Sequence, residues 1–464
     1  MNRPAARRLV PLHASMPRLP LTLLEQYLLH DDRRSYPCWM LGRLRFTGCL
    51  NHEELQLAWA EVARRHPLLA CLVRPGRGGR PGWVAAPGGP APIEWRPGPL
   101  PADWPATWAP IDLSREPGVR WLVVETEGGG DIYVQAHHAV LDGVALFQVF
   151  HELMLLYTHA LGGHVLIPEL RPQLLAGRGR LVASWWGRWR LLPAHLLGLA
   201  LAWPLLRREV TPLVPHHPAA PDAPPPPGLP AIAGRRFCPD DFKKIRGAAR
   251  RLGAGLNALL MRDVFAALGV WRAEQGVGAP LDWIRLGLPI NLRRPADRLL
   301  PAANVFSLVG IDRRGKSLAN RDRLLRRARE DMALVKRHRL DHTFLLLLGI
   351  HRLLPGGLRR YTRREACRAT LVMTNLGPLC PPRSSLLDAD QRIAVPGAVI
   401  EEVSIGGLFR PGTCATLAFG FYAGRLQADL HYDARFLTAA QAEGFMRAFE
   451  AQVRLSMEES PAAP

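Results

Sequence analysis

Residues 119–143 read VRWLVVETEGGGDIYVQAHHAVLDG. Val119–Thr126 is dense in β-branched and aromatic residues, as a strand requires. Gly128-Gly129-Gly130 supplies a turn, and Ile132–Ala136 resumes a strand, so the two runs read as a hairpin. The second strand continues directly into His137 and His138. Beyond Gly143 the apolar residues Val144, Phe147, Phe150, Leu153 and Met154 keep helical spacing. The two histidines therefore stand at a strand end, on the turn that precedes a helix N-terminus.

That place suits proton transfer. A neutral imidazole takes a proton from an alcohol or amine near neutral pH, and a strand end fixes the angle of its ring. His138 is the candidate general base. Asp142 can brace the loop against an arginine elsewhere in the chain. Gly143 permits a backbone that a Cβ would hinder, or the close approach of a neighbour. Taken alone, the same residues also fit a satisfied polar patch. A metal site on His137 and Asp142, with His151 as the candidate third member, finds no third ligand at convincing spacing. No metal and no bound cofactor are expected. His137-x4-Asp142 also satisfies the His-x4-Asp pattern of glycerolipid acyltransferases, but no phosphate-binding element of the FPEGTRS type follows it.

Outward from the hairpin, the first half holds a helix near Leu21–Leu29 and a strand-like stretch from Leu44. Asn51 caps a helix over EELQLAWAEVARRH, and Pro67–Val73 turns into a strand. Residues 75 to 118 read as loop and short strand. Trp185, Trp186, Trp189 and Trp203 then surround the apolar run Leu191–Leu206, flanked by Arg188, Arg190, Arg207 and Arg208. That run is shorter than the roughly 20 residues of a membrane span. Residues 183–208 fit either an inter-lobe helix or peripheral membrane contact.

Thr211–Pro230 is proline-rich and marks the domain boundary. The expected division is an N-terminal lobe over 1–210, a linker over 211–231 and a C-terminal lobe over 232–464. In the second half, helices are expected over Asp240–Leu252 and Leu256–Gln275, and a strand over Ile284–Ile290 leads to a turn at Asn291–Pro295. Further strands are expected at Val305–Ile311, Thr370–Thr374, Ala415–Phe421 and Leu426–Tyr432. A basic helix is expected over Ser317–Lys336 and a last helix from Thr438 to Met457.

The totals narrow the partners. The 464 residues carry 60 Lys+Arg against 40 Asp+Glu, a formal net charge of +20. Nearly all of the excess is arginine, since lysine occurs only at 243, 244, 316 and 336. Such a surplus favours anionic partners. The arginines are spread along the chain and form no nucleic-acid module, so no nucleic acid is expected. Seven cysteines form no CxxC pair, which fits a reducing compartment. The basic N-terminus develops no apolar signal region. A cytoplasmic location follows, with contact at the inner membrane face left open by 183–208.

His137–Gly143 (HHAVLDG) resembles the HHxxxDG signature of the CoA-dependent acyltransferase superfamily. That group includes condensation domains of nonribosomal peptide synthetases, wax ester synthases and chloramphenicol acetyltransferase. Pro20-Leu21-Thr22 with Glu25 is similar to the opening motif of condensation domains. Arg65-His66-Pro67-Leu68-Leu69 is similar to their RHPxLR element, with Ala70 in place of its last arginine. Leu288–Arg293 (LPINLR), Thr374–Gly377 (TNLG) and Tyr432-Asp433 resemble later elements, in the family's order.

The resemblance implies two chloramphenicol-acetyltransferase-like α/β lobes in a V, with the active site at their interface. It implies His138 as base and His137 as a structural residue. Asp142 would pair with Arg293, and Asn304 and Asn375 would serve donor or acceptor binding. The substrate would be acyl-CoA or an acyl-phosphopantetheine on an acyl carrier protein, and a small-molecule or lipid-like hydroxyl or amine would accept the acyl group. A plant-type DFGWG motif is absent, and Asn304-Val305-Phe306 inverts a Phe-Val-Asn pattern. With no carrier or adenylation motif, the expectation is a stand-alone acyltransferase. A catalytically inactive relative that only binds a carrier or pathway partner is the alternative.

Overall fold

The computed structural model describes residues 17–100, 109–179, 191–220, 223–224 and 231–459. In its first part lie β1 (Leu19–Pro20), α1 (Leu23–Asp31), β2 (Trp39–Gly48), α2 (His52–Arg65), β3 (Cys71–Arg74), β4 (Gly82–Ala85), β5 (Ile93–Pro97), β6 (Val119–Thr126), β7 (Gly129–His137), α3 (Gly143–Ala160) and α4 (Leu192–Arg207). The hairpin β6–β7 is antiparallel, from Thr126 opposite Gly129 to Val119 opposite Ala136. β2 pairs with the other edge of β7 and sets Trp39 opposite His137. β7 is thus an interior strand, and the strand end that carries the histidines is held from both sides.

Burial on both faces explains the continuous apolar run of β6. Val119, Trp121 and Val123 enter the main core of this lobe, whereas Leu122 and Val124 pack on the opposite face with Trp39, Leu41 and Tyr133. Helix α2 begins at the Asn51 cap, whose side chain accepts from Glu54 N. It buries Leu55, Ala58, Trp59 and Val62, and Trp59 meets Trp121 edge-on at 5.6 Å.

The remaining elements are β8 (Ala231–Phe237), α5 (Pro239–Arg251), α6 (Leu256–Glu274), β9 (Trp283–Asn291), β10 (Phe306–Arg314), α7 (Arg321–His338), α8 (Thr343–Leu353), α9 (Gly357–Thr362), β11 (Leu371–Pro378), β12 (Ala394–Val395), β13 (Ala398–Gly406), β14 (Ala415–Tyr422), β15 (Arg425–Tyr432) and α10 (Ala439–Glu458). A second six-stranded sheet runs β10-β9-β11-β14-β15-β8, with β11 parallel to both neighbours. It has its own core, in which Phe265, Trp271, Phe419, Phe445 and Phe449 lie between the sheet and helices α6 and α10. Two α/β lobes of the chloramphenicol-acetyltransferase type, expected from the resemblance, are the architecture found.

The lobes are not two uninterrupted segments. Placed in the C-terminal lobe by the sequence reading, Ala394–Gly406 instead extends the first sheet, in the order β12-β13-β2-β7-β6-β5. The chain crosses from the second lobe to the first and returns. Nor is the proline-rich stretch wholly a linker: Leu213 and Val214 are buried in the second core, and Thr211 N donates to Trp283 O at 3.0 Å. Residues 1–16, part of the linker (221–222 and 225–230) and the segment containing Trp185, Trp186, Arg188, Trp189 and Arg190 lie outside the described residues.

One buried ion pair ties the start of the chain to this frame. Arg178 grips Glu25 with two bonds of 2.7 Å. Glu25 also accepts from Trp83 Nε1 at 3.0 Å and from Thr22 N at 2.8 Å, closing the capping box of α1. Glu25 is fully buried, so removing its cation leaves a charge without water or counter-ion. Arg178→Met should therefore cost about 3–5 kcal/mol in denaturant unfolding. A loss below about 1 kcal/mol would show that the pair contributes little.

Candidate active site

The turn after β7 is fixed atom by atom. His137 N donates to Gly118 O at 2.8 Å, His138 N to Cys38 O at 2.7 Å and Val140 N to His137 O at 2.9 Å. Asn304 Nδ2, arriving from the loop before β10, donates to the carbonyls of His138 and Ala139 at 2.7 and 2.9 Å. The carbonyls of a tight turn, which would otherwise lack partners, are thereby satisfied by a side chain from the other lobe.

His137 is buried, and its Nδ1 accepts from Ala139 N at 3.1 Å. That bond leaves the proton on Nε2, which points to Asp32 Oδ2 at 3.6 Å. Burial opposes the charge on Asp32, but the hydrogen bonds from His137 and the Cys38 amide, with the nearby Arg410 charge, outweigh it and hold the carboxyl below its usual range. Both ring nitrogens of His137 are thus committed to the scaffold.

His138 is different. Its ring tilts over Phe306, with centroids 5.1 Å apart. Nδ1 is enclosed without a hydrogen-bond partner in another residue, and no hydrogen bond to Nε2 is seen among the described residues. Burial pushes its pKa below the ordinary histidine value, against opposing contributions from its own carbonyl, Asp142 and Asn304. The result is a neutral imidazole with one nitrogen available.

Asp142 joins the lobes. Its Oδ1 caps α3 by accepting from Ala145 N at 2.9 Å, and its Oδ2 accepts from Val305 N at 2.9 Å. Arg293, from the turn after β9, reaches both oxygens at 2.9 Å and also donates to Ala303 O at 2.8 Å. Gly143 meets the second lobe at close range, since a Cβ there would lie 2.7 Å from Leu376 Cδ2.

Two expected binding residues have other engagements. Asn304 spends its Nδ2 on the histidine turn, and its Oδ1 is buried without a hydrogen-bond partner among the described residues. Asn375 bonds Asn257 at 2.5 Å and accepts from Gly377 N at 2.9 Å, which places it on the second lobe without contact to His138. His151, weighed as a metal ligand, instead meets Ser384 Oγ at 2.7 Å. The loop before β10 has supports that spacing did not reveal: His66 Nδ1 accepts from Ala302 N at 2.8 Å, and Gln148 donates to Leu300 O at 3.2 Å. Glu152 holds His66 through Nε2 at 3.2 Å and pairs with Arg65. The motif Arg65-His66 was the available signal, although it gave no partner.

No protein-family model matches the chain, and no curated protein matches its sequence. Solved structures do match it in shape. The first condensation domain of the calcium-dependent antibiotic synthetase, in complex with a substrate analogue, superposes with a TM-score of 0.69 over 97% of this chain and 99% of that one, at 16% identity. This is the condensation-domain fold. The starter condensation domain of rhizomide synthetase, a mutant in complex with C8-CoA, gives 0.67 over 97% and 98% at 14% identity. Polyketide synthase associated protein 5 from Mycobacterium tuberculosis gives 0.60 over 94% and 98%, also at 14%.

The carboxylate of Asp142 is nearly buried, with four donors converging on it. Asp142→Ala should cost about 3–5 kcal/mol by urea unfolding, because the Arg293 charge is left at the lobe interface without its partner. Arg293→Lys, which keeps the charge and loses the fork, should fall between that variant and the wild type. Equal stability of all three proteins would refute the bracing role.

Proposed function

We propose that this protein is an acyltransferase that moves an acyl group from acyl-CoA, or from an acyl carrier protein, to a hydroxyl or amine acceptor. The observation that carries the reading is His138, with no hydrogen bond to Nε2 among the described residues, on a turn braced by Asn304 and by the Asp142–Arg293 pair. The bound C8-CoA of the rhizomide starter domain supports a CoA thioester as donor.

In this reading Nε2 of His138 removes the acceptor's proton as its oxygen or nitrogen attacks the thioester carbonyl carbon. The tetrahedral intermediate collapses with cleavage of the carbon–sulfur bond, and the proton passes from His138 to the departing thiolate. Products are the acylated acceptor and a free thiol, with no covalent acyl-enzyme. Asp142, Arg293 and Asn304 position the turn, and His137 fixes the strand end. The alternative, a chain that only binds a carrier or partner, would release no thiol.

Thiol release from acyl-CoA, followed across a panel of alcohols and amines, tests the reaction. His138→Ala should lower kcat by roughly 10²–10⁴-fold while leaving the fold intact. Undiminished acceptor-dependent release by that variant would exclude His138 as the base.

A second measurement reads protonation. The base works only when neutral, so activity should fall as pH drops through its pKa. Burial lowers that pKa, which puts the acid limb below the ordinary histidine value of about 6.5 and a plateau across neutral pH. A limb centred above pH 7 would contradict this environment for His138.

A further inference from the structure

Helix α4 breaks the usual rule for a helix on a protein surface. Such a helix turns an apolar stripe inward and a polar face to water. The sequence LPAHLLGLALAWPLLR is apolar on every side, and among its 16 residues only Gly198 is buried. The inner stripe runs through Ala194, Gly198, Ala202 and Leu205. At its centre the backbone comes so close to α8 that a Cβ on Gly198 would run into Thr343 Oγ1. The outer stripe, at helical spacing, is Leu192, Leu196, Ala200, Trp203 and Leu206, and Leu196 and Trp203 are 59% and 58% exposed.

Its neighbour α8 (TFLLLLGIHRL) is built the same way. Among its residues only Leu348 is buried, and its far end leaves Ile350, Leu353 and Leu354 exposed. α8 touches both α4 and α9 and rests on α1, where Phe344 meets Tyr27 edge-on at 5.4 Å. Exposed apolar surface on two packed helices marks an interaction site.

Charge identifies the occupant. Residues 342–364 contain no Asp or Glu, and α4 contains none either. Arg352, Arg359, Arg360, Arg363 and Arg364 are all exposed, and none forms an ion pair among the described residues. At the end of α4, Arg207 stacks on Trp203 at 4.3 Å. Leucines beside a tryptophan and arginines without acids fit the boundary between acyl chains and anionic headgroups. At about 1.5 Å per residue the helix is about 24 Å long, short of the roughly 30 Å hydrocarbon core, so it suits lying in the interface. A second copy packed through a two-fold axis would bring the same acid-free, arginine-rich helices against each other.

We propose that the outer face of α4, the exposed end of α8 and the arginines of α8 and α9 dock on the surface of an anionic lipid bilayer. This stands apart from the reading of His138. The full chain is mixed with extruded vesicles of phosphatidylglycerol or of phosphatidylcholine and sedimented. Binding should be at least about tenfold stronger to phosphatidylglycerol and should weaken with salt. Leu196→Glu/Trp203→Glu should abolish it. Arg359→Gln/Arg360→Gln, on exposed side chains that leave the core intact, should lower binding to phosphatidylglycerol by about tenfold or more. His138→Ala should bind like the wild type. Failure to sediment with phosphatidylglycerol, or unchanged binding by both double variants, overturns the proposal. So does a concentration-dependent dimer that Leu196→Glu/Trp203→Glu dissociates, because the face would then be an interface between copies.

Discussion

The carboxylate of Asp142 is the point on which the two lobes agree. The first core runs into the second lobe through Ala418 and Tyr422 of β14, but apolar burial is too unspecific in direction to set one lobe against the other at atomic precision. Asp142 supplies direction. One oxygen caps α3 of the first lobe, the other receives the backbone of the loop before β10, and Arg293 spans both. An asparagine could accept from some of these donors but would turn an NH₂ group towards others. Only an ionised carboxylate accepts from all four, and charge-assisted bonds are stronger than neutral ones.

The parts of this arrangement that were legible in the sequence are those governed by short-range pattern. The hairpin 119–137 has strand composition on both sides of a glycine turn, so β6 and β7 appear at their expected places. Thr438 and Asn51 cap the helices expected to follow them. By contrast, β13 is hidden by its own geometry. Ile400, Val403 and Ile405 face inward, but the pairing with β2 shifts between Ile400 and Glu402. A bulge of this kind breaks the period of two on which strand reading depends. Its transfer to the first sheet is a long-range event with no local mark. The bracing of Leu300–Val305 by His66 and Gln148 was illegible for the same reason, since the partners are separated by more than 150 residues.

Arginine abundance is also clarified by where the side chains lie. Arg178, Arg262, Arg272, Arg285, Arg293 and Arg410 are buried or nearly so, and each is paired with a carboxylate. Their planar forks meet carboxylates and carbonyls in fixed directions, which lysine cannot reproduce. These arginines are internal construction, and because each sits with a carboxylate they cancel in the formal total, so the net surplus of +20 is carried by other residues. The exposed arginines of α8 and α9 form a local excess, because residues 342–364 contain no Asp or Glu.

The contrast between the two histidines follows from the same economy of partners. Neighbours in sequence on a strand end must point in different directions, because side chains alternate. His137 turns towards Asp32, Gly118 and the Ala139 amide and is consumed by them. His138 turns towards Phe306 and the second lobe, where Asn304 binds the backbone carbonyls and no hydrogen bond to Nε2 is seen among the described residues. A base needs both properties at once: a backbone held so firmly that the ring keeps its aim, and a nitrogen that the holding groups do not use. Backbone anchoring from Cys38 and Asn304 meets the first need without touching the second. The proposed role of His138 therefore rests on the distribution of hydrogen bonds around residues 137–142 more than on the presence of a His pair.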